Sequence, residues 1–271
     1  MKNKYLIVAS KQDSAGINIT TQLSQFYDIN GKSFKFYLIE DDILHTENLN
    51  LEKINNFDFI IFASMHKSEK RQKTLSIHAP GNWRKADYGG EKNKASLTSS
   101  LFNKFLFEKL QNNSKNSSIQ DYNITLEATH HGPLIDKPSV FIEIGSTEIQ
   151  WKDSKAGFVI AKSIKDAIDK FENSGEIQYR ETALGIGGTH YCPNFTKIQK
   201  SSNYALGHII PLYSLPLSEE MISEALTKTL EEVDIILLDW KGLGNSIQRQ
   251  QVLDVLDKLK LQYKRTSEVE K

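Results

Sequence analysis

The chain has 271 residues with 34 basic and 34 acidic side chains, so its formal net charge at pH 7 is zero. Apolar residues make up 39% and aromatic residues 10%, which is enough for a packed core and excludes global disorder. No apolar run approaches the about 20 residues that a membrane span requires. The single cysteine, Cys192, excludes an internal disulfide framework and a zinc site built on several thiolates.

The start of the chain and its charge distribution suggest where the protein works. Residues 1–5 lead directly into a strand-like run without a signal-peptide pattern, so we expect a cytoplasmic protein with no membrane partner. Zero net charge argues against a general nucleic-acid condenser, and we expect no DNA partner. Residues 66–109, however, carry ten Lys and Arg against four Asp and Glu. Both ordinary solvated surface and a basic face for phosphates fit this excess.

Strand-like runs and helical periods alternate along the chain. Strands are predicted at residues 5–9, 34–39, 57–63, 123–128, 140–144, 205–210 and 233–238. Helices are predicted in a segment that Ser14 could cap and at residues 96–110, 155–171, 218–230 and 247–259. This order predicts an α/β fold with a mixed, mostly parallel sheet and helices on both faces. We expect a single domain over residues 1–271.

Two segments interrupt this alternation. Residues 64–95 are basic and mostly irregular, with only Leu75 and Ile77 as a weak strand, and a long loop inside a compact domain is usually functional. Residues 111–121 are polar and turn-prone. The second segment is either a boundary between two lobes or a surface excursion within one domain.

The densest chemical motif is Glu-Ala-Thr-His-His-Gly-Pro at residues 127–133. If the preceding strand stays extended, Glu127, Thr129 and His131 share one face and His130 takes the other. Imidazole and carboxylate groups are suitable ligands for a divalent metal such as zinc. The alternative is a pair of polar histidines that are satisfied within a loop.

Two further motifs place chemistry near strand ends. Glu143 interrupts an apolar strand, and a buried carboxylate is costly unless it is paired, hydrogen-bonded or metal-bound. It could transfer protons, or it could form a structural salt bridge. Gly-Ile-Gly-Gly-Thr-His-Tyr-Cys-Pro at residues 185–193 is neither a dinucleotide fingerprint nor a P-loop, but its glycines allow close approach and deliver His190. Cys192 could be a ligand or a nucleophile, although an incidental small residue is the favoured interpretation.

Two loops and the other histidines complete the candidates. Residues 9–18 join the first strand to a helix whose N-terminal amides attract anions. Residues 78–83 close the basic loop with His78, a turn and Trp83, which could stack on a base. His45, His66 and His208 have no supporting neighbours and are interpreted as structural or surface residues.

Five ordered motifs together resemble the archaeal-type D-aminoacyl-tRNA deacylases. They are Ser10 with Asp-Ser-Ala-Gly-Ile-Asn-Ile (13–19), His-Ala-Pro-Gly-Asn-Trp (78–83), Thr-His-His-Gly-Pro (129–133), Glu-Ile-Gly-Ser-Thr with Trp151 (143–151), and Gly-Gly-Thr-His-Tyr (187–191). The resemblance implies hydrolysis of the ester that joins a D-amino acid, such as D-tyrosine, to the 3′ end of tRNA. It also implies two zinc ions per subunit and a fold similar to peptidyl-tRNA hydrolases and nucleoside phosphorylases.

The residues themselves, rather than the resemblance, assign the site. The metal ligands are predicted to be His130, His131, His190 and Glu127, and the catalytic residues Glu143, His131 and His78. The tRNA-binding residues are predicted to be Lys70, Arg71, Lys73, Trp83 or Tyr88, Arg84 and Lys85. The anion- or ligand-binding loops are predicted to contribute Ser10, Asp13, Gly16 and Asn18, and Gly187, Gly188 and Thr189.

These assignments predict metal-assisted ester hydrolysis. Zinc would lower the pKa of a water molecule to about 7, and the metal or the amides of the glycine loop would stabilise the oxyanion. The expected partner is the acceptor end of D-aminoacyl-tRNA, bound by a monomer. The alternatives are an enzyme that acts on nucleosides by phosphorolysis or hydrolysis, and a non-enzymatic RNA-binding module.

Overall fold

The computed structural model describes residues 3–26, 34–46, 51–173 and 180–269. The strands in this part of the chain are β1 (Tyr5–Ser10), β2 (Phe34–Ile39), β3 (Phe59–Lys67), β4 (Thr74–His78), β5 (Gly81–Asn82), β6 (Lys94–Ala95), β7 (Asn123–Leu126), β8 (Ser139–Ser146), β9 (Glu181–Ile186), β10 (Tyr204–Ile210), β11 (Ile235–Leu238) and β12 (Tyr263–Arg265). The helices are α1 (Ser14–Ser24), α2 (Leu51–Asn55), α3 (Ser100–Lys115), α4 (Glu148–Trp151), α5 (Ser154–Asn173), α6 (Pro193–Ser201), α7 (Glu219–Thr227) and α8 (Ser246–Lys258).

Two sheets carry the fold within the described ranges. The larger sheet has the strand order β2-β1-β3-β8-β4-β7, and its neighbouring strands are parallel except for β4 against β8. The smaller sheet has the order β10-β9-β11-β12 and is parallel throughout. The strands β5 and β6 form a short antiparallel pair. The prediction of a mixed, mostly parallel α/β fold is therefore confirmed.

Alternate residues of a strand enter different cores because successive side chains point to opposite faces of a sheet. Ile7 belongs to a core that includes residues of α1, α3 and α5, whereas Val8 packs in a second core with Ile54 of α2. In the smaller sheet, Leu237 packs with α6, and Ile236 packs with α7 and α8. Ile7 and Leu237 belong to the same continuous core, so the two sheets share their packing.

The segment at residues 64–95 is mostly irregular, as predicted, and the weak strand predicted at Leu75 and Ile77 is β4. The end of β3 lies within it, and β4 inserts between β8 and β7 in the larger sheet. Polar Ser76 and His78 alternate with Leu75 and Ile77, which weakens the apolar pattern although every residue of β4 is buried. This insertion carries His78 into the interior of the protein.

The elements that were not predicted include β9 and α6. β9 is a central strand of the smaller sheet, but its sequence Glu-Thr-Ala-Leu-Gly-Ile contains small and polar residues. α6 begins at Pro193, directly after Cys192, which has a φ of 45°. A helix therefore does follow the glycine-rich loop, since proline is well suited to a first helical position.

The N-cap of α1 is Asp13 rather than Ser14, because Asp13 Oδ1 accepts hydrogen bonds from the N–H groups of Ala15 and Gly16 at 2.8 and 2.9 Å.

The polar segment at residues 111–121 begins inside a helix. α3 continues to Lys115 and packs both on α5 and on β10, so it bridges the two sheets. The single domain over residues 1–271 stays a prediction, and the shared core supports it. No helix among the described residues is both long enough and apolar enough to cross a membrane.

Candidate active site

The segment that follows β7 lies at the junction of the two sheets. The backbone N–H of Glu127 donates to a carbonyl of β4 at 3.0 Å. The next two N–H groups, of Ala128 and Thr129, donate to the carbonyls of His190 and Ile209 at 2.8 and 3.1 Å. These bonds hold the His-His motif beside the loop that carries His190.

The extended alternation of this segment ends earlier than predicted. Because β7 stops at Leu126, His130 does not face away from Glu127, and its Nε2 lies 3.6 Å from Glu127 Oε2. Thr129 points elsewhere, with its hydroxyl 3.1 Å from Nδ1 of the buried His208. The prediction that Glu127 and Thr129 share a face opposite His130 was therefore wrong.

Glu143 occupies the centre of a polar row on one face of the larger sheet. In the strand register it pairs with Ser64 of β3 and with Ser76 of β4. His66 and His78 each follow one of these serines by two residues, so they share its face. Since β4 is antiparallel to β8 whereas β3 is parallel to it, the two histidines lie on opposite sides of Glu143. His66 Nδ1 and His78 Nε2 are each 3.6 Å from Glu143 Oε2.

Glu127 is the second carboxylate of the site, and its side chain has no exposed surface. Its Oε1 lies 3.3 Å from His66 Nδ1, and its Oε2 lies 3.1 Å from His190 Nε2 and 3.6 Å from His130 Nε2. One carboxylate thus joins side chains from β3, from the segment after β7 and from the loop after β9.

Three of the histidines hold their rings in the same way. Nδ1 of His78, His130 and His131 lies 3.2, 2.8 and 2.7 Å from a backbone carbonyl oxygen. Because a carbonyl only accepts, each Nδ1 must carry a proton, and each neutral ring then presents a lone pair at Nε2. A metal-binding histidine typically donates its other N–H in this manner. The ring centroids lie 4.1 to 4.7 Å apart.

Several buried polar atoms of this cluster lack hydrogen-bond partners. They are both carboxylate oxygens of Glu127, Oε2 of Glu143 and Nε2 of His78. Imidazole nitrogens lie 3.1 to 3.6 Å from the carboxylate oxygens, but without the alignment of a hydrogen bond. Buried charged groups without partners are costly, and a bound cation would remove that cost.

Sets of three potential ligands lie close enough to hold a metal ion. Their ligand atoms lie within 4.8 Å of one another in the sets His78–His130–His131, His66–Glu127–His190 and His78–Glu127–Glu143. Imidazole nitrogens with carboxylate oxygens are the donor set typical of catalytic zinc. The residues present therefore fit a divalent metal.

The protonation states of the cluster also suit a cation. Burial is the main cause that lowers the pKa of His131 to about 4, and burial also lowers the pKa of His130 well below its usual value. Burial raises the pKa of Glu127, but its contacts with His190 and His66 outweigh this and lower it well below its usual value. Burial likewise lowers the pKa of His66, while the two glutamates raise it to about 11. Ionised carboxylates beside the neutral rings of His130 and His131 suit metal binding, and His66 would release its proton when a cation binds.

The cluster lies where two clefts meet. The larger cleft has a volume of about 1050 Å³ and the smaller one about 870 Å³, which are sizes typical of ligand pockets. Four residues, Tyr88, His130, His131 and His190, line both clefts. A substrate with two distinct ends could therefore present its central bond to the histidines.

Comparison with known proteins identifies the family. The sequence profile of the D-aminoacyl-tRNA deacylases matches residues 53–264. The chain is 33% identical to the D-aminoacyl-tRNA deacylase of Pyrococcus furiosus, over 95% of this chain and 98% of that relative. This chain belongs to the D-aminoacyl-tRNA deacylase family. It is also 31% identical to the enzyme of that name from Methanocaldococcus jannaschii, over 92% of this chain and 94% of the relative.

A solved structure supports the fold of this family member. The crystal structure of AF0625, a conserved protein of unknown function, matches with a TM-score of 0.87 and 29% identity. The match covers 99% of this chain and 98% of the other. The resemblance inferred from the five motifs is thus confirmed at the level of the family.

In this D-aminoacyl-tRNA deacylase family member, only part of the first predicted ligand-binding loop, residues 9–18, lies at the site. The rest of the loop packs within the fold. Ser10 and Asp13 line the larger cleft. Gly16 packs against β3, where an added Cβ would lie 2.6 Å from the carbonyl oxygen of Ala63. The Asn18 amide donates to two backbone carbonyls near the start of α5, at 2.8 and 2.9 Å. Neither Gly16 nor Asn18 lines either cleft.

The glycine-rich loop does not supply free amides to the site. Gly187 and Gly188 have φ values of 103° and 80°. Their N–H groups donate to the carbonyls of Ile210 and Gly242 at 2.8 and 2.9 Å. The expectation that these amides stabilise an oxyanion was therefore wrong, and Thr189 is exposed outside both clefts. The glycines instead let the loop pack closely on the segment after β11.

The predicted tRNA-binding residues are spread over different surfaces. Arg71 lines the larger cleft, whereas Arg84 and Lys85 line the smaller one. Lys70 lies outside both clefts, as does Lys73, whose ammonium pairs with Asp121 at 2.6 Å.

The prediction that Trp83 stacks on a base conflicts with its packing. Trp83 is 3% exposed, and its indole N–H donates to the carbonyl of Ile209 at 3.0 Å. The aromatic exposed in this region is Tyr88, which is 66% exposed. Because stacking requires an open ring face, Tyr88 can receive a base and Trp83 cannot.

Sequence analysis missed His66 and misjudged its surroundings. Its Nε2 lies 2.8 Å from the hydroxyl of Tyr191, and its Nδ1 faces both glutamates. The sequence feature that could have indicated His66 was its position two residues beyond Ser64, but using it required β3 to extend past Ala63.

Cys192 is buried, and burial raises the pKa of its thiol well above the usual value, which argues against a nucleophilic role.

Proposed function

We propose that this protein hydrolyses the ester bond of D-aminoacyl-tRNA and releases free tRNA and the D-amino acid. Family membership supports this reaction. The observation that carries the proposal is the pair of buried carboxylates, Glu127 and Glu143, that face imidazole rings where two clefts meet. A non-enzymatic RNA-binding module has no need of buried carboxylate oxygens without partners.

The metal is proposed to be zinc, held at two positions. One ligand set is His66, Glu127 and His190, and the other is His78, His130 and His131. Bound zinc would lower the pKa of a water molecule and polarise the ester carbonyl. The Nδ1–H bonds to backbone carbonyls orient three of these rings before any metal arrives.

Glu143 is proposed to accept the proton of the attacking water. The hydroxyl of Ser64 donates to its Oε1 at 2.7 Å, which fixes the carboxylate and leaves Oε2 without a hydrogen bond. Glu143 also lines the larger cleft. His78, whose side chain has no exposed surface, is better suited to ligand binding than to protonating the departing ribose oxygen. His131 is likewise assigned to the metal, because its Nδ1 proton is held by the carbonyl of Gly132.

The reaction is tested with D-tyrosyl-tRNA and L-tyrosyl-tRNA, each with and without a chelator. We expect rapid loss of the D-ester alone, abolished by the chelator and restored by zinc. D-selective cleavage that resists the chelator would support the proposed reaction and contradict the proposed role of zinc. If neither ester is cleaved after zinc is restored, the deacylase proposal is wrong, and small nucleosides become the substrates to test.

A further inference from the structure

The two clefts have different chemistry although they share the histidine cluster. An ester at the cluster has an acyl group on one side and a ribose on the other, so each cleft receives one side. Net charge and the exposed ring of Tyr213 distinguish the two clefts. This argument rests on the proposed function only for the identity of the substrate.

The larger cleft, called the acidic cleft below, favours a cationic group with an apolar side chain. Its carboxylates are Asp13, Asp42, Glu69, Glu143 and Glu148, and its cations other than histidine are Lys67 and Arg71. The excess of carboxylates repels phosphate and attracts an ammonium group. Its apolar lining consists of Ile43, Leu44, Met65 and Trp151. Glu143 lines this cleft, and its buried Oε2 has no hydrogen-bond partner.

The smaller cleft, called the tyrosine cleft below, has the opposite character. Arg84, Lys85 and Lys92 line it against a single carboxylate, Asp87. Tyr213 also lines it and is 60% exposed, close to the 66% of Tyr88. Exposed aromatic rings beside cations are typical of surfaces that bind unpaired nucleotides.

The neighbours of these tyrosines hold them in place. The carbonyl of Tyr88 accepts from the N–H of Gly132, next to the His-His pair, at 2.9 Å. The guanidinium of Arg84 donates to the carbonyl of Ser214 at 2.9 Å and to that of Pro216. Arg84 therefore fixes the turn that presents Tyr213.

We propose that the tyrosine cleft binds the terminal unpaired nucleotides of tRNA, with bases stacked on Tyr88 and Tyr213. The acidic cleft then receives the D-aminoacyl group, with its ammonium near the carboxylates and its side chain near Met65. This division removes Arg71 from the predicted tRNA-binding residues and adds Lys92 and Tyr213 to them.

The first test measures the affinity for uncharged tRNA, which contains only the part assigned to the tyrosine cleft. Tyr213→Ala is expected to weaken binding about 5- to 100-fold, since stacking contributes about 1–3 kcal/mol per base. Tyr213→Phe keeps the ring and should bind as the wild type does. Tyr263→Ala, which alters a tyrosine of β12 outside both clefts, should also leave the affinity unchanged. Fluorescence anisotropy gives the affinities, and circular dichroism confirms folding.

The second test alters the acidic cleft. Met65→Ala is expected to lower kcat/KM for D-tyrosyl-tRNA at least about 5-fold relative to D-alanyl-tRNA, the scale of a lost side-chain contact. Its affinity for uncharged tRNA should stay within 2-fold of the wild type. Met65 is 39% exposed, so its replacement should not unfold the chain.

The possible outcomes distinguish failure of the cleft assignment from failure of the proposed reaction. Weaker tRNA binding in Met65→Ala with normal binding in Tyr213→Ala would reverse the assignment and overturn the proposal. Normal tRNA affinity in Tyr213→Ala would by itself reject the stacking role. If the wild type cleaves no D-aminoacyl ester, the proposed function fails, while the measurement with uncharged tRNA still decides which cleft binds RNA.

Discussion

Glu127 places both oxygens of a carboxylate in the interior without a hydrogen bond. The desolvation of such a charge costs several kcal/mol, and breaking up its partners is strongly unfavourable. In this protein the nearest groups are imidazole nitrogens at 3.1 to 3.6 Å. The imidazoles compensate part of the cost of burying this charge, and a bound cation would compensate the rest.

Replacing Glu127 tests this interpretation directly. Glu127→Gln is expected to lose bound zinc and to lower kcat/KM for D-tyrosyl-tRNA at least about 100-fold. Its melting temperature in the metal-free state should be lower, because the amide leaves the buried charge of His66 without one of the two carboxylates that stabilise it. Metal analysis, kinetics and thermal unfolding give the three results.

The matched control for this experiment is Glu172→Gln. Glu172 accepts hydrogen bonds from Asn3 and Tyr5 and lines neither cleft. It should retain zinc and turnover. Full zinc content and full turnover in Glu127→Gln would remove Glu127 from the site.

Tyr191 is predicted to position His66 as a ligand. Its hydroxyl lies 2.8 Å from His66 Nε2, on the opposite side of the ring from the glutamates. Tyr191→Phe removes this hydrogen bond and should weaken zinc binding about 10- to 100-fold, as second-sphere changes typically do. Competition with a chromogenic chelator measures the affinity. Tyr263→Phe serves as the control, and equal affinity in Tyr191→Phe would contradict the positioning role.

At the scale of secondary structure, the direction of β4 determines the site. β3 and β4 flank β8, and both align a serine with Glu143. With β4 antiparallel, His78 extends away from His66, and Glu143 lies between them. A parallel β4 with the same serine pairing would place both histidines on one side, and Glu143 could not contact His78 and His66 from opposite directions.

The hydrogen bonds that Lys104 makes between α3 and α6 predict that the free energy of unfolding depends on pH. The buried ammonium of Lys104 donates to the carbonyls of Gln199 and Ser202. Burial, assisted by Arg180 and opposed by Glu108, lowers the pKa of Lys104 to about 8. The pKa of a lysine side chain in an unfolded chain is about 10.4. Between these values the unfolded chain binds more protons, so the contribution of Lys104 to stability rises with pH.

The test compares Lys104→Met with the wild type in urea unfolding. The neutral amine of Lys104 still donates above pH 8, whereas methionine leaves two buried carbonyls unpartnered, at about 1–3 kcal/mol each. We expect the wild type's advantage in free energy of unfolding to widen between pH 8 and pH 10. An advantage that stays constant over this range would show that Lys104 is not held at a lowered pKa.

Whether an element could be predicted depended on how its residues are buried. β1 and β8 are covered on both faces and therefore appear as apolar runs. β4 and β9 are equally central, but β4 places serines and a histidine at the site, and β9 has small residues where helices approach. Long amphipathic helices such as α5 were found because the larger sheet covers one of their faces.

At the scale of the whole molecule, the two sheets share one core. Residues of β1, α3, β9 and β11 belong to the same cluster, and α3 packs against elements of both sheets. The candidate active site lies on this junction, since Glu127 and Glu143 belong to the larger sheet's side and His190 to the smaller sheet's side. Separation of the sheets would therefore dismantle the ligand sets.

This shared core predicts a single cooperative unfolding transition. Trp151 packs against the core common to both sheets, and Trp240 packs against the outer core of the smaller sheet. Fluorescence of Trp151→Phe and of Trp240→Phe should give urea midpoints that coincide with each other and with circular dichroism, after correction for each variant's stability. Two separated transitions would instead support a lobe boundary near residues 111–121.

Residue types and local spacing were enough to establish the α/β class, the family and the kinds of side chain that form the site. Those features depend on burial periodicity and on motifs whose residues are neighbours in the chain. Which histidine faces which glutamate was decided only by tertiary structure. His66, His78, Glu127, Glu143 and His190 come from separate segments of the chain. They meet because β3 and β4 flank β8 in opposite directions and because the loop after β9 docks on the segment after β7. Strand direction and docking arise from packing between distant segments, which no local pattern encodes.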